Sequence, residues 1–310
     1  MNLYYAPLEG IGLRVLRCVH NEVFGNVDAY FAPFISPGDQ ERVNRKGMRD
    51  IAPEENKEVK PKIQVLTGNS ESFLKFAEDV KGLGYDEINI NMGCPVQMVT
   101  KKGRGSGMLR DTEALDSFLY EIFDKSDVKI TVKTRIGFSS SKELPTLIEI
   151  FNKYPITELT IHPRIREQFY KGTPDMEAFS FAYNNYKGKL CYNGDIWEKE
   201  DFCIIKEKYP RLEGVMIGRG AVKNPAIFRE INGGKSLATE EIVQFIERMK
   251  EEWFSVLRSE TYTLYKLKEL MGYLLLNFPD EKKLSKAIKK SGTPDELLSL
   301  VKMLPEIKKG

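Results

Sequence analysis

Three features of this sequence predict an α/β fold, a closed (β/α)8 TIM barrel followed by a small C-terminal helical domain. Eight short apolar runs recur along the first 230 residues, amphipathic segments of helix length lie between most of them, and strand-like runs then stop. The runs are Leu3–Ala6, Val27–Phe34, Lys62–Leu66, Glu87–Asn91, Val128–Thr134, Glu158–His162, Lys189–Asn193 and Gly214–Ile217. Strands joined by helical crossovers are parallel, and eight such units match a closed barrel. An open doubly wound sheet is the competing architecture, but the G-x-G-x-x-G turn expected after its first strand is missing.

The connecting elements follow from period and punctuation. Ser70–Lys81, Thr112–Phe123, Leu144–Lys153 and Lys199–Tyr209 carry apolar residues at helical spacing, and Ala221–Glu230 is expected to be one helix after the eighth strand. Residues 36–60 are polar and contain Pro and Gly, so they read as a long loop with room for one short helix. Beyond Asn232-Gly-Gly, four helices are expected at Thr239–Ser259, Thr261–Phe278, Glu281–Ser291 and Pro294–Leu304. Caps or breakers stand at Ser259, Asn277–Asp280 and Gly292-Thr293-Pro294. The expected division is a barrel over 1–231 and a helical domain over 235–310.

Composition removes several classes of function. The 310 residues are 41% hydrophobic and 30% charged, which excludes a disordered or fibrous chain. No apolar window reaches 18 residues, and the N-terminus has neither a basic n-region nor a small-residue cleavage site, so a cytoplasmic protein off the membrane is expected. Cys18, Cys94, Cys191 and Cys203 show no C-x-x-C spacing, and only two His are present, so neither a disulfide framework nor a metal site is expected. Net charge is only +2, but basic residues cluster. The clusters are Arg42, Arg45, Lys46 and Arg49; Lys101, Lys102 and Arg104; and Lys282, Lys283, Lys286, Lys289 and Lys290, the last at spacings that give one helical face.

Alternation along the strands supplies the functional signal. If the aliphatic faces turn to the surrounding helices, Gln64, Asn91, Lys133, His162 and Asn193 point into the barrel mouth from five consecutive strands. Burying one unpaired polar group costs roughly 1–3 kcal/mol, so five together read as a site rather than as core. That end is where barrels of this type carry their active sites. The eighth strand runs into Gly218-Arg219-Gly220 and the seventh into Asn193-Gly194-Asp195, loops suited to a phosphate-bearing ligand. Cys94 lies between Gly93 and Pro95 just beyond the fourth strand, which holds it at the mouth. The other three cysteines sit in helix or strand patterns, where a small buried hydrophobe is expected. Cys94 can act as a nucleophile with His162 as its base, or as a proton donor, since a free thiol titrates near pH ~8.5. Spacing leaves both roles open.

Taken in order, these motifs resemble the dihydrouridine synthases, flavin-dependent enzymes that reduce uridines in transfer RNA. The matching segments are A-P-L-E-G at 6–10, Q-V-L-T-G at 64–68, N-M-G-C-P at 91–95 with G-R-G-S-G at 103–107, V-K-T-R-I-G at 132–137, I-H-P-R at 161–164, N-G-D at 193–195 and I-G-R-G at 217–220. The resemblance implies FMN bound through Pro7, Leu8, Glu9, Gln64, Lys133, His162, Asn193, Gly194, Asp195, Gly218 and Arg219. It also implies NADPH or NADH as reductant, hydride transfer from flavin N5 to uracil C6, and proton donation from Cys94 to C5. Lys133 would stabilise the anionic reduced flavin, and Asn91 and Arg135 are candidates for contacting uracil or flavin. Lys101, Arg104, Lys282, Lys286, Lys289 and Lys290 are the expected RNA contacts, with tRNA the expected partner and a monomer the expected state. Leu8, Gly12 and Pro163 depart from the residues usual in the family, each at a loop. The same chemistry on ribosomal RNA, a flavin barrel dehydrogenase for a free small molecule, and a non-catalytic RNA-binding module are the alternatives.

Overall fold

The computed structural model describes residues 1–37 and 45–307. Arg42 and the side chains of Arg45 and Lys46, part of the first basic cluster, lie outside the described residues. The barrel begins with β1 (Asn2–Tyr5), α1 (Arg14–Val23), β2 (Ala29–Tyr30), α2 (Arg45–Ile51), β3 (Ile63–Val65) and α3 (Ser70–Gly82). It continues through β4 (Glu87–Met92), a one-turn α4 (Gln97–Thr100), α5 (Thr112–Lys125), β5 (Lys129–Arg135), α6 (Leu144–Phe151), β6 (Leu159–His162) and α7 (Met176–Asn185). β7 (Leu190–Tyr192), α8 (Lys199–Lys208), β8 (Gly214–Ile217), α9 (Arg219–Lys223) and α10 (Ile227–Ile231) complete it. All eight strands are parallel, in the order β2-β1-β8-β7-β6-β5-β4-β3. Parallel bridges Phe31–Lys62 and Ile35–Val65 join β2 to β3 and close the ring.

Each expected strand has its counterpart, but β2 is cut from eight residues to two. Pro33 has no N–H to donate to the ladder, so pairing persists beyond Tyr30 only at Phe31 and Ile35. The expected helix over 221–230 is two short helices instead. Pro225 disfavours helical geometry at Asn224 and removes a donor, so α9 stops at Lys223 and α10 starts at Ile227. Elsewhere the caps fall as the sequence signals. Asn69, Asp111 and Asp175 each accept from a backbone N–H in the first turn of α3, α5 and α7.

Outward-facing Ile63, Val65, Ile88, Ile90, Ile130, Val132, Leu159 and Ile161 are buried against the helical ring in the main core. The barrel interior is split. Tyr4, Ala6, Phe31, Cys191 and Met216 make a small apolar cluster on the β1, β2, β7 and β8 side. Across from it, Gln64 donates to Asn89 at 2.7 Å, Asn89 donates to Thr131 at 2.8 Å, and Asn91 donates to Gln64 at 2.8 Å. Near the opposite end from the mouth, the buried Glu158 accepts from the Tyr4 hydroxyl at 3.0 Å, and burial pushes its carboxyl up to about 7. Cys191 is buried as expected, whereas Cys203 is exposed on α8: its neighbours Phe202 and Ile205 take the buried face.

The last four helices are α11 (Thr239–Leu257), α12 (Glu260–Leu274), α13 (Lys282–Lys290) and α14 (Pro294–Val301). α11 packs on α1, and α12 packs on α11, α14 and α9. Phe24 and Phe245 meet edge to face at 5.3 Å. Ser259 and Thr293 cap α12 and α14 through their hydroxyls. Lys266 on α12 donates to the Gly10 carbonyl at 2.7 Å, so the tail grips the A-P-L-E-G turn directly. Among the described residues, no helix is long and apolar enough to cross a membrane.

Candidate active site

A cavity of about 610 Å³ opens at the C-terminal ends of the strands. It gathers Pro7, Leu8 and Glu9 from the first turn, Asn91 and Cys94 from the β4 loop, Lys133 and Arg135 from β5, and His162 from β6. Asn193, Gly194 and Asp195 follow from the β7 loop, and Gly218 and Arg219 from the end of β8. A neighbouring cavity of about 480 Å³ between the first turn and α11 holds only Glu9 of the candidate residues, so the candidates gather in the larger one.

Sequence explains how Cys94 is held there. The Asn91 carboxamide oxygen accepts from the Gly93 and Cys94 amides at 3.0 and 2.9 Å, a local turn that a short side chain with an acceptor oxygen can make. Three successive carbonyls of the loop each take a donor. Arg135 Nε donates to Gly93 O at 2.8 Å, the Ser106 amide to Cys94 O at 3.0 Å, and Arg166 Nε to Pro95 O at 3.1 Å. Gly105, at φ +57°, backs the cysteine: a Cβ there would stand 2.8 Å from Cys94 O. Burial pushes the Cys94 thiol above its ordinary range, partly offset by the Val96 amide and the charges of Arg135 and Lys133.

Three of the candidates are engaged by the protein itself, and of these Asn91 and Arg135 also line the cavity. Gln64 is fully buried and does not line the cavity; its carboxamide is engaged by Asn89 and Asn91, so it supports the floor. Asn91 reaches the cavity but spends its oxygen on the Cys94 loop. Arg135 donates to the carbonyls of Gly93, Ile165 and Phe169, so it ties the β4 loop to the β6 loop.

Lys133 differs from all of these. Its ammonium has no hydrogen-bond or ion-pair partner among the described residues, and burial with the nearby Arg135 charge pushes it down to about 8. An ammonium held without an anion fits an electron-rich or anionic ligand in the cavity. Asp195 forms a bidentate pair with the fully buried Arg164, at 2.9 and 2.5 Å, and also accepts from Arg219 at 2.7 Å. Arg219 lies over the Tyr170 ring at 4.5 Å and the Trp197 ring at 5.0 Å. Gly220 is a packing requirement, since a Cβ there would stand 1.9 Å from Ile196 O and drive the β7 and β8 loops apart.

Sequence reasoning did not select Arg164, Tyr170, Trp197 or Tyr273 as site residues. Arg164 stands in the quoted I-H-P-R segment, and only its burial distinguishes it from a surface arginine. Tyr273 reaches the cavity from α12, a contact no local pattern announces. Lys101 is exposed on the loop beyond α4, and Arg104 is half-buried. Lys282, Lys286, Lys289 and Lys290 are exposed on α13, away from the cavity lining. No cluster of three or more His, Cys, Asp or Glu able to hold a metal occurs among the described residues.

The profile of the dihydrouridine synthase family matches residues 4–308. The chain belongs to that family. It is similar to tRNA-dihydrouridine synthase B of Proteus vulgaris, with 34% identity over 48% of this chain and 46% of the relative. The same-named protein of Shewanella oneidensis shares 30% identity over 61% and 60%. A Staphylococcus aureus protein named "Probable tRNA-dihydrouridine synthase" shares 27% identity over 73% and 70%. The matched stretch thus spans about half the length of the first of these relatives. Among solved structures, morphinone reductase superposes with a TM-score of 0.55 at 10% identity, covering 76% of this chain and 86% of that one. The old yellow enzyme of Trypanosoma cruzi gives 0.54 at 10% identity, over 75% and 88%. These two show the shared barrel fold.

Proposed function

We propose that this chain reduces uridines in RNA, tRNA first among them, to 5,6-dihydrouridine, with FMN as cofactor and NADPH or NADH as reductant. The observation that carries the reading is the pairing, in one cavity, of a rigidly held Cys94 with the Lys133 ammonium, which has no partner among the described residues. Family membership and the names of the relatives supply the reaction class.

The residues fit the cofactor. Lys133 and His162 offer donors to the polar edge of an isoalloxazine, and Arg219 with the loops at 193–195 and 218–219 suits its phosphate. Bound there, FMN supplies the hydride. Cys94 supplies the proton: its thiol is pushed up by burial and stays protonated at neutral pH. A role for Cys94 as a His162-activated nucleophile is disfavoured, because His162 Nε2 is already engaged by Arg164 at 3.1 Å.

A base inside folded RNA must be extruded, at a few kcal/mol, and backbone contacts must offset that. The helical domain over 235–310 supports that role through the exposed lysines of α13, with Lys101 and Arg104 near the mouth. Such an enzyme works in the cytoplasm, where tRNA is modified, and one chain carries a complete cavity, which favours a monomer. The test is to incubate the purified flavin-loaded protein and NADPH with tRNA from a strain lacking the gene, and to map dihydrouridine. Appearance of dihydrouridine at defined positions is expected. Reduction of free uracil or orotate with none in RNA would overturn the reading, and dihydrouridine confined to ribosomal RNA would move the substrate.

A further inference from the structure

Arg164 is fully buried at the base of the mouth. Its Nε donates to Lys171 O at 3.2 Å and its Nη2 to Gly172 O at 2.6 Å. Nη1 and Nη2 share the Asp195 carboxylate, and Nη1 also lies 3.1 Å from His162 Nε2. A guanidinium can only donate. Nε2 must therefore accept, and a neutral ring then carries its proton on Nδ1. That nitrogen has no partner among the described residues, and the ring lines the cavity.

We infer that Arg164 is a positioning residue that fixes His162 as its Nδ1–H tautomer, a hydrogen-bond donor toward the bound ligand, with Asp195 holding Arg164 in register. The groups facing the ring agree. Burial first, then the charges of Arg135, Lys133, Arg164 and Arg219, keep His162 neutral far below the ordinary range of an imidazole. The other histidine is the contrast. His20 Nε2 lies 2.8 Å from the Pro225 carbonyl, which can only accept, and Nδ1 lies 2.8 Å from the Tyr30 hydroxyl. The two rings are thus set in opposite tautomers. Donation from His162 to FMN rests on the function proposed above; the tautomer does not.

The test is a two-bond proton–nitrogen spectrum of the full chain labelled with 15N-histidine, with the His162→Gln spectrum assigning the two rings. One Nε2–H pattern from His20 and one Nδ1–H pattern from His162 are expected. Arg164→Met should abolish the Nδ1–H pattern of His162 and weaken flavin retention about tenfold. Arg164→Lys, which keeps a donor, should restore both in large part, and Asp195→Asn should leave the tautomer in place. An Nε2–H pattern for His162 in the parent, or an unchanged pattern in Arg164→Met, would overturn the inference. If Arg164→Met does not fold, the Lys variant decides: Nδ1–H upholds the inference and Nε2–H overturns it. A parent that shows Nδ1–H yet binds no flavin upholds this inference and counts against the proposed function.

Discussion

Two regions of this molecule bury the same kinds of side chain and use them differently. Beneath the first crossover, Arg17 donates to Gly12 O, to Asp50 and to Asn56, while His20 bonds Tyr30 and Pro225. At the mouth, Arg164 is as deeply placed and His162 is buried, but Lys133 and one nitrogen of His162 have no partner among the described residues. The first region also leaves the Arg17 Nε and the Tyr5 hydroxyl without a partner among the described residues, but both are sealed in the core and line none of the cavities described. In the second the unpaired groups line a cavity. Unpaired capacity that opens on a cavity, rather than burial or charge alone, distinguishes a ligand site from a polar core.

The largest effect expected on this contrast comes from the thiol. Cys94→Ala should retain flavin and oxidise NADPH normally, yet lose about 10²–10⁴-fold in uridine reduction, measured by dihydrouridine formed per turnover. Near-normal product would remove Cys94 from the chemistry. Lys133→Met should slow reoxidation of the reduced enzyme by RNA by roughly 10²-fold or strip the flavin on gel filtration, because it deletes the uncompensated charge. Unchanged flavin content and unchanged turnover would place Lys133 with Arg17, as a structural cation.

A third prediction compares the two ends of the barrel interior. Glu158 holds its proton more tightly folded than unfolded, with a carboxyl raised to about 7 from 4.5. Its contribution is therefore complete below about pH 4.5 and is lost as pH rises through about 7, on the order of 3 kcal/mol in all. Glu158→Gln should raise the melting temperature at pH 8 and have little effect at pH 5. An equal shift at both values would show that Glu158 is ionised in the folded protein. The smallest effect belongs to the tail. Changing Lys282, Lys286, Lys289 and Lys290 to Gln should leave the flavin spectrum intact while each lost phosphate contact lowers the salt slope of RNA binding by about 0.7–0.9. Parental affinity and slope would show that the α13 face is only solvated.

The sequence made some of this legible for definite reasons. Barrel strands alternate between helix-facing aliphatics and interior groups, so Asn89 and Asn91 between Ile88, Ile90 and Met92 announce both the strand and its inward face. The motif loops carried Cys94 to the cavity because Asn91, Pro95 and Gly105 shape the turn locally. What escaped depends on distance. Whether Gln64 meets a ligand or Asn91 is decided by the register of β3 on β4, and whether Arg164 meets solvent or Asp195 is decided by a loop 31 residues away. The exposure of Cys203 turns on which face of α8 the barrel covers, a choice two adjacent apolar positions leave ambiguous.

Tyr273 has a consequence for how such chains can be rebuilt. It belongs to α12 yet forms part of the cavity wall, and Lys266, two turns earlier, fastens the turn carrying Pro7 and Glu9. The tail is therefore not an interchangeable cassette. A chimera that takes its last helices from a relative imports a piece of the cavity wall with them. A truncation before α12 removes the clasp on the first loop as well as the surface beyond it. Recombination within this architecture is constrained to keep the barrel and its last helices together as one inherited unit.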